Sequence, residues 1–357
     1  MAGATAATSF AEPVSTTRPR GELASLDRWG RLRWLPIAFG VAALCATVVL
    51  GVAVGPAGLP VRGVLKEMLG MRSGLGIGST IVWQFRLSRV VLGLLVGAVL
   101  SLAGGSFQGA FRNPLADPYL LGVAGGGGLG ATLAIVSSAN QHWVPPAAFA
   151  GALLAVGLTY LLGASGHSPS PASLVLAGVA VTSLLTAFQT FVQQRNTNDI
   201  RSIYGWILGR LSTSGWSDVL TLLPYAVVSS VVLLLMARSL DVLSVGDVEA
   251  QSLGLRPARL RLIIVVAASL ATAAAVSVSG LIAFVGLIVP HTIRLLAGSS
   301  YRRILPLSML YGGVFLALAD LLARTVLAPA EIPIGVVTAF FGAPFFLIIL
   351  RSSRNAS

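Results

Sequence analysis

Residues 240–261, LDVLSVGDVEAQSLGLRPARLR, form a polar and charged break between two long apolar runs at about 217–237 and 262–279. Of the chain's 357 residues, 55% are hydrophobic and only 10% are charged, whereas a soluble protein carries roughly 25% charged residues. Apolar stretches of about 20 residues are long enough to span a bilayer. The sequence therefore predicts an all-α polytopic membrane protein, in which the 240–261 segment is a loop between two spans.

Local signals predict how this loop folds. Ser244 followed three residues later by Asp247 is typical of a helix start of the capping-box kind. Gly254 suits the residue that ends such a helix, and Pro257 can open a second short one. We therefore expect two short helices with a tight bend, lying at the membrane surface.

The loop also has an apolar face. Val245, Val248 and Leu253 fall on one side of a helix, and Asp247 and Glu249 point elsewhere. An ordinary amphipathic loop shows the same spacing. The pattern by itself therefore leaves open whether the segment does more than connect two spans.

The hydropathy pattern predicts about ten transmembrane helices. The predicted spans are about 35–55, 86–108, a third beginning near Tyr119, 146–164, 171–192, 217–237, 262–279, 281–297, 304–324 and 334–350. Ten spans place both termini on one side, and the excess of arginine on that side indicates the cytoplasm. Pro114 and Pro118 in RNPLADP exclude a continuous helix there, and Pro290 is expected to interrupt the eighth span.

The regions outside the spans are assigned by composition. Residues 1–34, rich in Ala, Ser, Thr and Arg, are predicted to be a mobile cytoplasmic tail, and 352–357 a cytoplasmic C-terminal end. Residues 35–351 are predicted to form the transmembrane domain, with the 240–261 loop on the cytoplasmic side. The net charge of +12 comes almost wholly from arginine, which indicates cytoplasmic flanks and lipid headgroups rather than nucleic acid. The single cysteine, Cys45, excludes an internal disulfide and is expected to be a buried packing residue.

Several enzyme classes are excluded by missing motifs. A phosphate-binding loop needs a lysine in G-x-x-x-x-G-K-[ST], and Lys66, the only lysine, lies in PVRGVLKEM. The sequence has neither a helical HExxH pair nor clustered aspartates for magnesium. If ATP drives this protein, another chain must hydrolyse it. A secondary transporter driven by an ion gradient is the alternative. It would need midplane carboxylates, and of these only Asp320 is close, with Arg324 four residues on.

Six blocks of sequence, in the same order, resemble the permease subunit of bacterial ABC importers for iron–siderophores, haem and vitamin B12. The resemblance covers about residues 86–351. The blocks are RLSR at 86–89, RNPLADPYLLGVAGG at 112–126, the 240–261 loop with its Gly246-Asp247 and Leu253-Gly254 pairs, SGLIAFVGLIVPHTIRLLAG at 279–298, ADLLAR at 319–324 and EIPIGVVTAFFGAPFF at 331–346.

The resemblance implies an ATP-driven importer with a ten-helix permease in the bacterial cytoplasmic (inner) membrane. The permease would work with a second permease subunit, identical or not, with two cytoplasmic ATPase subunits that use ATP and magnesium, and with an extracytoplasmic substrate-binding protein. This chain itself is expected to bind no cofactor or metal and to be no enzyme. A ferric siderophore is the favoured cargo because such systems are the commonest members, with haem and cobalamin as alternatives.

The resemblance also implies two contact sites. The loop between the sixth and seventh spans would insert into a groove of the ATPase. The residues assigned to this coupling are Ser244, Gly246, Asp247, Glu249, Leu253 and Gly254. At the outer ends of the second and ninth spans, Arg86, Arg89 and Arg324 would receive acidic residues of the binding protein. The alternative is that Arg86 and Arg89 reach lipid headgroups and that Arg324 pairs with Asp320.

Four polar residues in or near the spans are candidates for the translocation path. They are Gln108, Asn113, Gln189 and His291. Intramembrane polar groups are functional candidates by default. Asn113 and His291 stand beside prolines, where freed backbone groups need partners, so local hydrogen-bond support is the competing interpretation.

Overall fold

The computed structural model describes residues 34–354 except 56, 73, 138–139, 165–170 and 213–214. Apart from Trp34, the predicted tail lies outside the described residues, and so does the C-terminal end from Asn355. Within the described ranges the regular structure is entirely helical.

Fourteen helices of the described chain carry the fold. They are α1 (Trp34–Ala53), α2 (Val61–Met68), α3 (Ile77–Ala110), α4 (Val123–Val136), α5 (Val144–Gly163), α6 (Pro171–Arg195), α7 (Ile200–Ile207), α8 (Ser217–Leu235), α9 (Ala237–Val245), α10 (Asp247–Ser252), α11 (Pro257–Ser279), α12 (Val285–Ala297), α13 (Tyr301–Thr325) and α14 (Ile334–Arg354). A π-helical turn, Ile81–Leu87, lies near the start of α3.

Seven of these helices are long and apolar enough to cross a membrane, namely α1, α3, α5, α6, α8, α11 and α13. Three shorter apolar stretches of helix fall where the remaining spans are predicted, namely α4, α12 and the part Ile334–Ile348 of α14. The all-α polytopic fold is confirmed. Ten crossings and the cytoplasmic position of both termini stay predictions.

Proline interrupts the helix at one of the two predicted positions and not at the other. Residues 111–117 are not helical, as RNPLADP predicts, and Arg112 has a positive φ of 50°. The predicted interruption at Pro290 is wrong, because α12 continues through it. Proline lacks an amide donor for the carbonyl four residues before it, and Gln108 Nε2 donates to that carbonyl, Gly286 O, at 3.4 Å. The break lies earlier, at 280–284.

Helix α3 is the centre of the fold and contacts α8, α11, α12 and α13. Small residues allow this close packing. A Cβ placed on Gly97 would overlap the backbone of Gly312, and one on Gly104 would overlap that of Gly286. Helices α4 and α5 meet in the same way, as expected for glycine pairs four apart in membrane helices. The expectation for Cys45 is wrong, since α1 packs mainly on α13 and leaves Cys45 exposed on its other side.

Candidate functional site

The 240–261 segment forms two short helices, but they begin at other residues than predicted. Ser244 lies inside α9, where its hydroxyl donates to Asp241 O at 2.7 Å. Gly246 is extended and α10 begins after it, at Asp247. The predicted capping box is wrong, because an N-cap residue needs a non-helical backbone and Ser244 is already part of a helix.

The end of α10 follows the prediction more closely. Gly254 has a φ of +79°, and its N–H donates to Gln251 O at 2.9 Å. The N–H of Leu255 donates to Ala250 O at 3.0 Å. These two bonds form a Schellman ending, which needs the left-handed conformation that glycine adopts readily. Pro257 does open a helix, but that helix is the long α11 and not a second short one.

The segment presents its apolar side chains to the outside. Val245, Val248 and Leu253 are 71%, 76% and 69% exposed. These residues lie outside the seven long apolar helices. Contiguous exposed apolar residues rimmed by polar ones mark an interaction surface, and Glu249 and Asp247 supply the polar rim.

Asp247 fixes α10 to the rest of the molecule. Arg261, which is buried, donates to its carboxylate through both terminal nitrogens, with Nη1–Oδ2 at 2.9 Å. The same guanidinium donates through Nε to Ala110 O at 2.9 Å, at the end of α3. Arg112 Nη2 lies 3.5 Å from Asp247 Oδ1. Hydrogen bonding by Arg261 lowers the pKa of Asp247 below its ordinary value. One carboxylate thus connects α10, α11 and α3.

Asp241 makes a second connection that the sequence did not reveal. Its carboxylate accepts hydrogen bonds from Ser300 Oγ at 2.9 Å and from the backbone N–H of Tyr301 at 2.5 Å. Arg302 Nε lies 3.7 Å away. A carboxylate at this place satisfies free N–H groups and complements the helix dipole at the start of α13. No local pattern could have shown this, because the partners are 59 and 60 residues apart.

At the opposite end of the fold, two of the three predicted docking arginines are buried. Arg86 Nη1 donates to Val52 O at 2.9 Å and to Ala53 O at 3.0 Å. Arg324 Nη2 donates to Gly51 O. Arg86 is 5% exposed and Arg324 is 3% exposed. Both guanidinium groups therefore satisfy the last carbonyls of α1, where cations are favoured by the helix dipole.

Arg89 is held by two carboxylates. Its Nη2 lies 2.8 Å from Asp320 Oδ1, and its Nη1 lies 2.8 Å from Glu331 Oε1. Arg324 Nε is 3.6 Å from Asp320 Oδ2, so the alternative pairing of Arg324 is also present. Hydrogen bonding by Arg89 lowers the pKa of Glu331. We call the five residues Arg86, Arg89, Asp320, Arg324 and Glu331 the arginine cluster. Docking of a binding protein on its arginines stays a prediction.

The four path candidates take different positions. Gln108 is fully buried, and its Nε2 donates to Gly286 O and Leu287 O while its Oε1 accepts from Arg294 at 3.2 Å. Asn113 N–H donates to Gln108 O at 3.1 Å, and its side chain accepts from Leu115 N–H at 2.9 Å. For Gln108 and Asn113, these bonds match the competing interpretation, in which the polar groups supply local hydrogen-bond support.

The other two path candidates lie elsewhere. Gln189 is buried on α6 against Gly128 of α4. The His291 ring lies edge-on to Phe345 of α14, with ring centres 6.2 Å apart. His291 Nδ1 is buried and has no hydrogen-bond partner. Lining of a path by these residues stays a prediction. Among the described residues, no group of three or more His, Cys, Asp or Glu side chains is placed to hold a metal ion.

The all-helical fold, with seven helices long and apolar enough to span a membrane, is that of a polytopic membrane protein, and comparison with known proteins identifies its class as a transport permease. The chain belongs to the FecCD transport family, whose model matches residues 43–352. The resemblance drawn from the sequence is thereby confirmed.

Individual relatives agree with this assignment. The chain is 47% identical to the cobalamin import system permease of Halobacterium salinarum, covering 76% of this chain and 73% of that protein. It is 39% identical to the hemin transport system permease of Yersinia pestis, covering 77% and 85%. It is 38% identical to an uncharacterized ABC transporter permease of Bacillus subtilis, covering 90% and 95%.

A solved structure assigned to the metal-chelate type of ABC transporter, in an inward-facing conformation, matches with a TM-score of 0.78. The identity is 30%, and the match covers 88% of this chain and 97% of that one. The likeness therefore extends over nearly the whole permease fold.

Proposed function

We propose that this chain is the permease subunit of an ATP-driven importer that moves a metal chelate from an extracytoplasmic binding protein to the cytoplasm. A second permease subunit, two cytoplasmic ATPase subunits and the binding protein complete the system in the bacterial cytoplasmic membrane. The favoured cargo is a ferric siderophore. Relatives named for cobalamin, hemin and Fe(3+)-citrate support the broader class of metal chelates.

One observation carries the coupling part of the proposal, namely the exposed apolar face of Val245, Val248 and Leu253 beside a fixed helix. A soluble partner that covers this face removes apolar surface from water, which is favourable. Because Asp247 and Arg261 connect α10 to the end of α3, a push on α10 reaches the central helix of the fold. We propose that the partner is the ATPase.

The ion-gradient alternative finds no support in the carboxylate it would need. Asp320 is buried between Arg89 and Arg324, which lie 2.8 and 3.6 Å away. A carrier carboxylate has to change its charge or its partner in each cycle, and this one is fixed in an ion pair.

The arginine cluster is the proposed docking site on the outer side. Arg89 is the contact residue of this site. Its side chain is 13% exposed, and a guanidinium group can bind a carboxylate through two parallel hydrogen bonds. Arg86 and Arg324 support the site from beneath by holding the end of α1.

Leu253→Asp tests the coupling proposal. A carboxylate on the covered face would be desolvated at a cost of a few kcal/mol, which is on the order of a hundredfold in affinity. We expect normal membrane insertion, with loss of ATPase co-purification and of ATP-driven uptake in proteoliposomes. Leu69→Asp is the matched control, since Leu69 is 75% exposed at the other end of the fold. Wild-type uptake by Leu253→Asp would contradict the coupling proposal and show that the segment only connects two spans.

The cargo is tested separately. The binding protein that restores uptake together with this permease and its ATPase can be titrated with a ferric siderophore, ferric citrate, haem and cobalamin. We expect one of these chelates to bind at least a hundredfold more tightly than the others. Binding of a free amino acid or sugar instead would contradict the proposed substrate class.

A further inference from the structure

The two carboxylates that hold Arg89 differ in their surroundings. Asp320 lies inside the fold, with its side chain 2% exposed, whereas the side chain of Glu331 is 42% exposed. Arg89 Nη1 and Nη2 donate to the two oxygens of Glu331 at 2.8 and 3.0 Å. The outward edge of this guanidinium is therefore occupied by a residue of the same chain.

Glu331 stands at the entrance to α14. The loop that carries it is fixed on one side by Ile332 N–H, which donates to Ala323 O at 2.9 Å. Helix α14 begins three residues later, at Ile334, and Gly335 N–H donates to Leu208 O at 2.9 Å. A displacement of Glu331 thus acts on the first turn of α14 and on the end of α7.

A cavity of about 160 Å³ adjoins the ion pair. Arg89, Arg210, Asp320, Glu331 and Ile334 are among the residues that line it. A water molecule occupies about 30 Å³ in the liquid, so the cavity has room for another carboxylate. Arg210 supplies a second cation there. A Glu331 side chain that leaves Arg89 therefore stays close to positive charge.

We propose that Glu331 is a displaceable stand-in for a carboxylate of the binding protein, occupying Arg89 until that partner docks. The inference rests on the proposed docking at the arginine cluster and adds a competitor within the chain. The partner's carboxylate takes the outward edge of Arg89, and Glu331 turns toward Arg210. The released loop then lets docking act on α14.

When Glu331 occupies Arg89, the partner can bind only the fraction of molecules in which Arg89 is free. The apparent dissociation constant of the partner is the intrinsic one divided by that fraction. Exposed ion pairs of this kind correspond to roughly a two- to fivefold change in an equilibrium constant. Glu331→Gln keeps the shape of the side chain and removes its charge. We expect it to tighten docking by about two- to fivefold.

The test titrates the uptake-restoring binding protein onto the reconstituted permease–ATPase complex at low salt. Glu67→Gln is the matched control, because Glu67 lies at the same end of the fold, where it accepts from Ser79 Oγ and Trp83 Nε1. Both variants remove one negative charge, so the net charge of the permease changes equally in the two. Tightening by Glu331→Gln alone supports the competitor, and equal affinities in both variants overturn it.

A second arm needs no partner. A nitroxide on Ala330→Cys in a Cys45→Ala background reports the motion of the loop, since Ala330 is exposed. We expect Glu331→Gln to raise the mobility of the label and Glu67→Gln to leave it unchanged. An immobile label in Glu331→Gln would show that the ion pair does not hold the loop, and would overturn the proposal.

Arg89→Lys separates this inference from the docking proposal. Lysine keeps a positive charge next to Asp320 but loses the two-pronged fork. If Arg89→Lys leaves the affinity unchanged, docking on Arg89 fails and the competitor fails with it. If Arg89→Lys weakens docking while Glu331→Gln does not tighten it, docking stands and the competitor alone is wrong.

Discussion

The 240–261 segment and the arginine cluster lie at opposite ends of this permease. Both contain arginine–carboxylate ion pairs, but the ion pairs have different effects. In the 240–261 segment, Asp247 and Arg261 fix a short helix whose apolar side chains remain exposed. In the arginine cluster, Arg86 and Arg324 are turned inward onto the carbonyls of α1. The 240–261 segment thus exposes an apolar surface, whereas most hydrogen-bond donors of the arginine cluster already have partners within the chain.

The difference follows from where the charges lie. Asp247 is half-exposed and can be solvated without Arg261, so its ion pair adds rigidity at modest cost. Asp320 is buried, and a buried charge that loses its partner is strongly destabilising. We therefore expect substitutions in the arginine cluster to act on folding first, and those in the 240–261 segment to act on coupling first.

Asp320→Asn should give the largest effect. It leaves the buried Arg324 without an anion and Arg89 with Glu331 alone. Removing one partner of a buried pair costs about 3–5 kcal/mol. We expect an equal loss in the unfolding free energy, measured by denaturant titration in detergent, and reduced membrane yield. Asp199→Asn, in the turn before α7, is the control and should change stability by less than about 0.5 kcal/mol. Similar stability of the two variants would remove the distinction between the two ends.

Asp247→Asn should give an intermediate effect. It removes the anion between Arg261 and Arg112 but leaves Arg261 its bond to Ala110 O. We expect a loss of about 1.5–3 kcal/mol in the local opening free energy of α10, since hydrogen bonds to charged groups contribute about that much. Hydrogen exchange of the α10 amides measures it. Glu249→Gln, exposed on the same helix, should leave exchange unchanged.

The same ion pair has a pH dependence of known sign. Because Arg261 lowers the pKa of Asp247, its contribution to stability is complete above the ordinary aspartate pKa of about 4. It is lost as the pH falls through the lowered pKa. Exchange in α10 should therefore accelerate at acidic pH in the wild type, and Asp247→Asn should flatten that response. An identical acid response in both proteins would place the titrating group elsewhere.

The sequence predicted the helices better than it predicted their contacts. Hydropathy located the apolar helices because burial in a bilayer acts on whole stretches of about 20 residues. It placed the start of the second span at Arg86, whereas α3 begins at Ile77. Gly78, Ser79, Thr80 and Gln84 interrupt the apolar residues between these points, so the hydropathy pattern did not extend the span back to Ile77.

Long-range polar contacts could not be predicted from the sequence. Arg86 and Arg89 are three residues apart, which predicts a shared helix face. In the structure Arg86 turns to α1 and Arg89 turns to Asp320, with the π-helical turn ending between them at Leu87. The extra residue of a π turn shifts the rotation of side chains around a helix. Local spacing gives no sign of it, so the roles of these two arginines could not be separated.

Ser244→Ala should give the smallest effect, and it tests the corrected start of α10. If Ser244 were the N-cap, its replacement by alanine would cost about 1 kcal/mol. In the structure Ser244 is exposed inside α9 and only bonds the carbonyl of Asp241. Alanine is the better helix former at such a position, so stability should change by less than about 0.5 kcal/mol. Gly254→Ala provides the contrast, because alanine at a φ of +79° costs roughly 1–2 kcal/mol. We expect exchange in α10 to stay at the wild-type rate in Ser244→Ala and to rise about tenfold in Gly254→Ala. Faster exchange in Ser244→Ala, matching that of Gly254→Ala, would return Ser244 to the role of a cap.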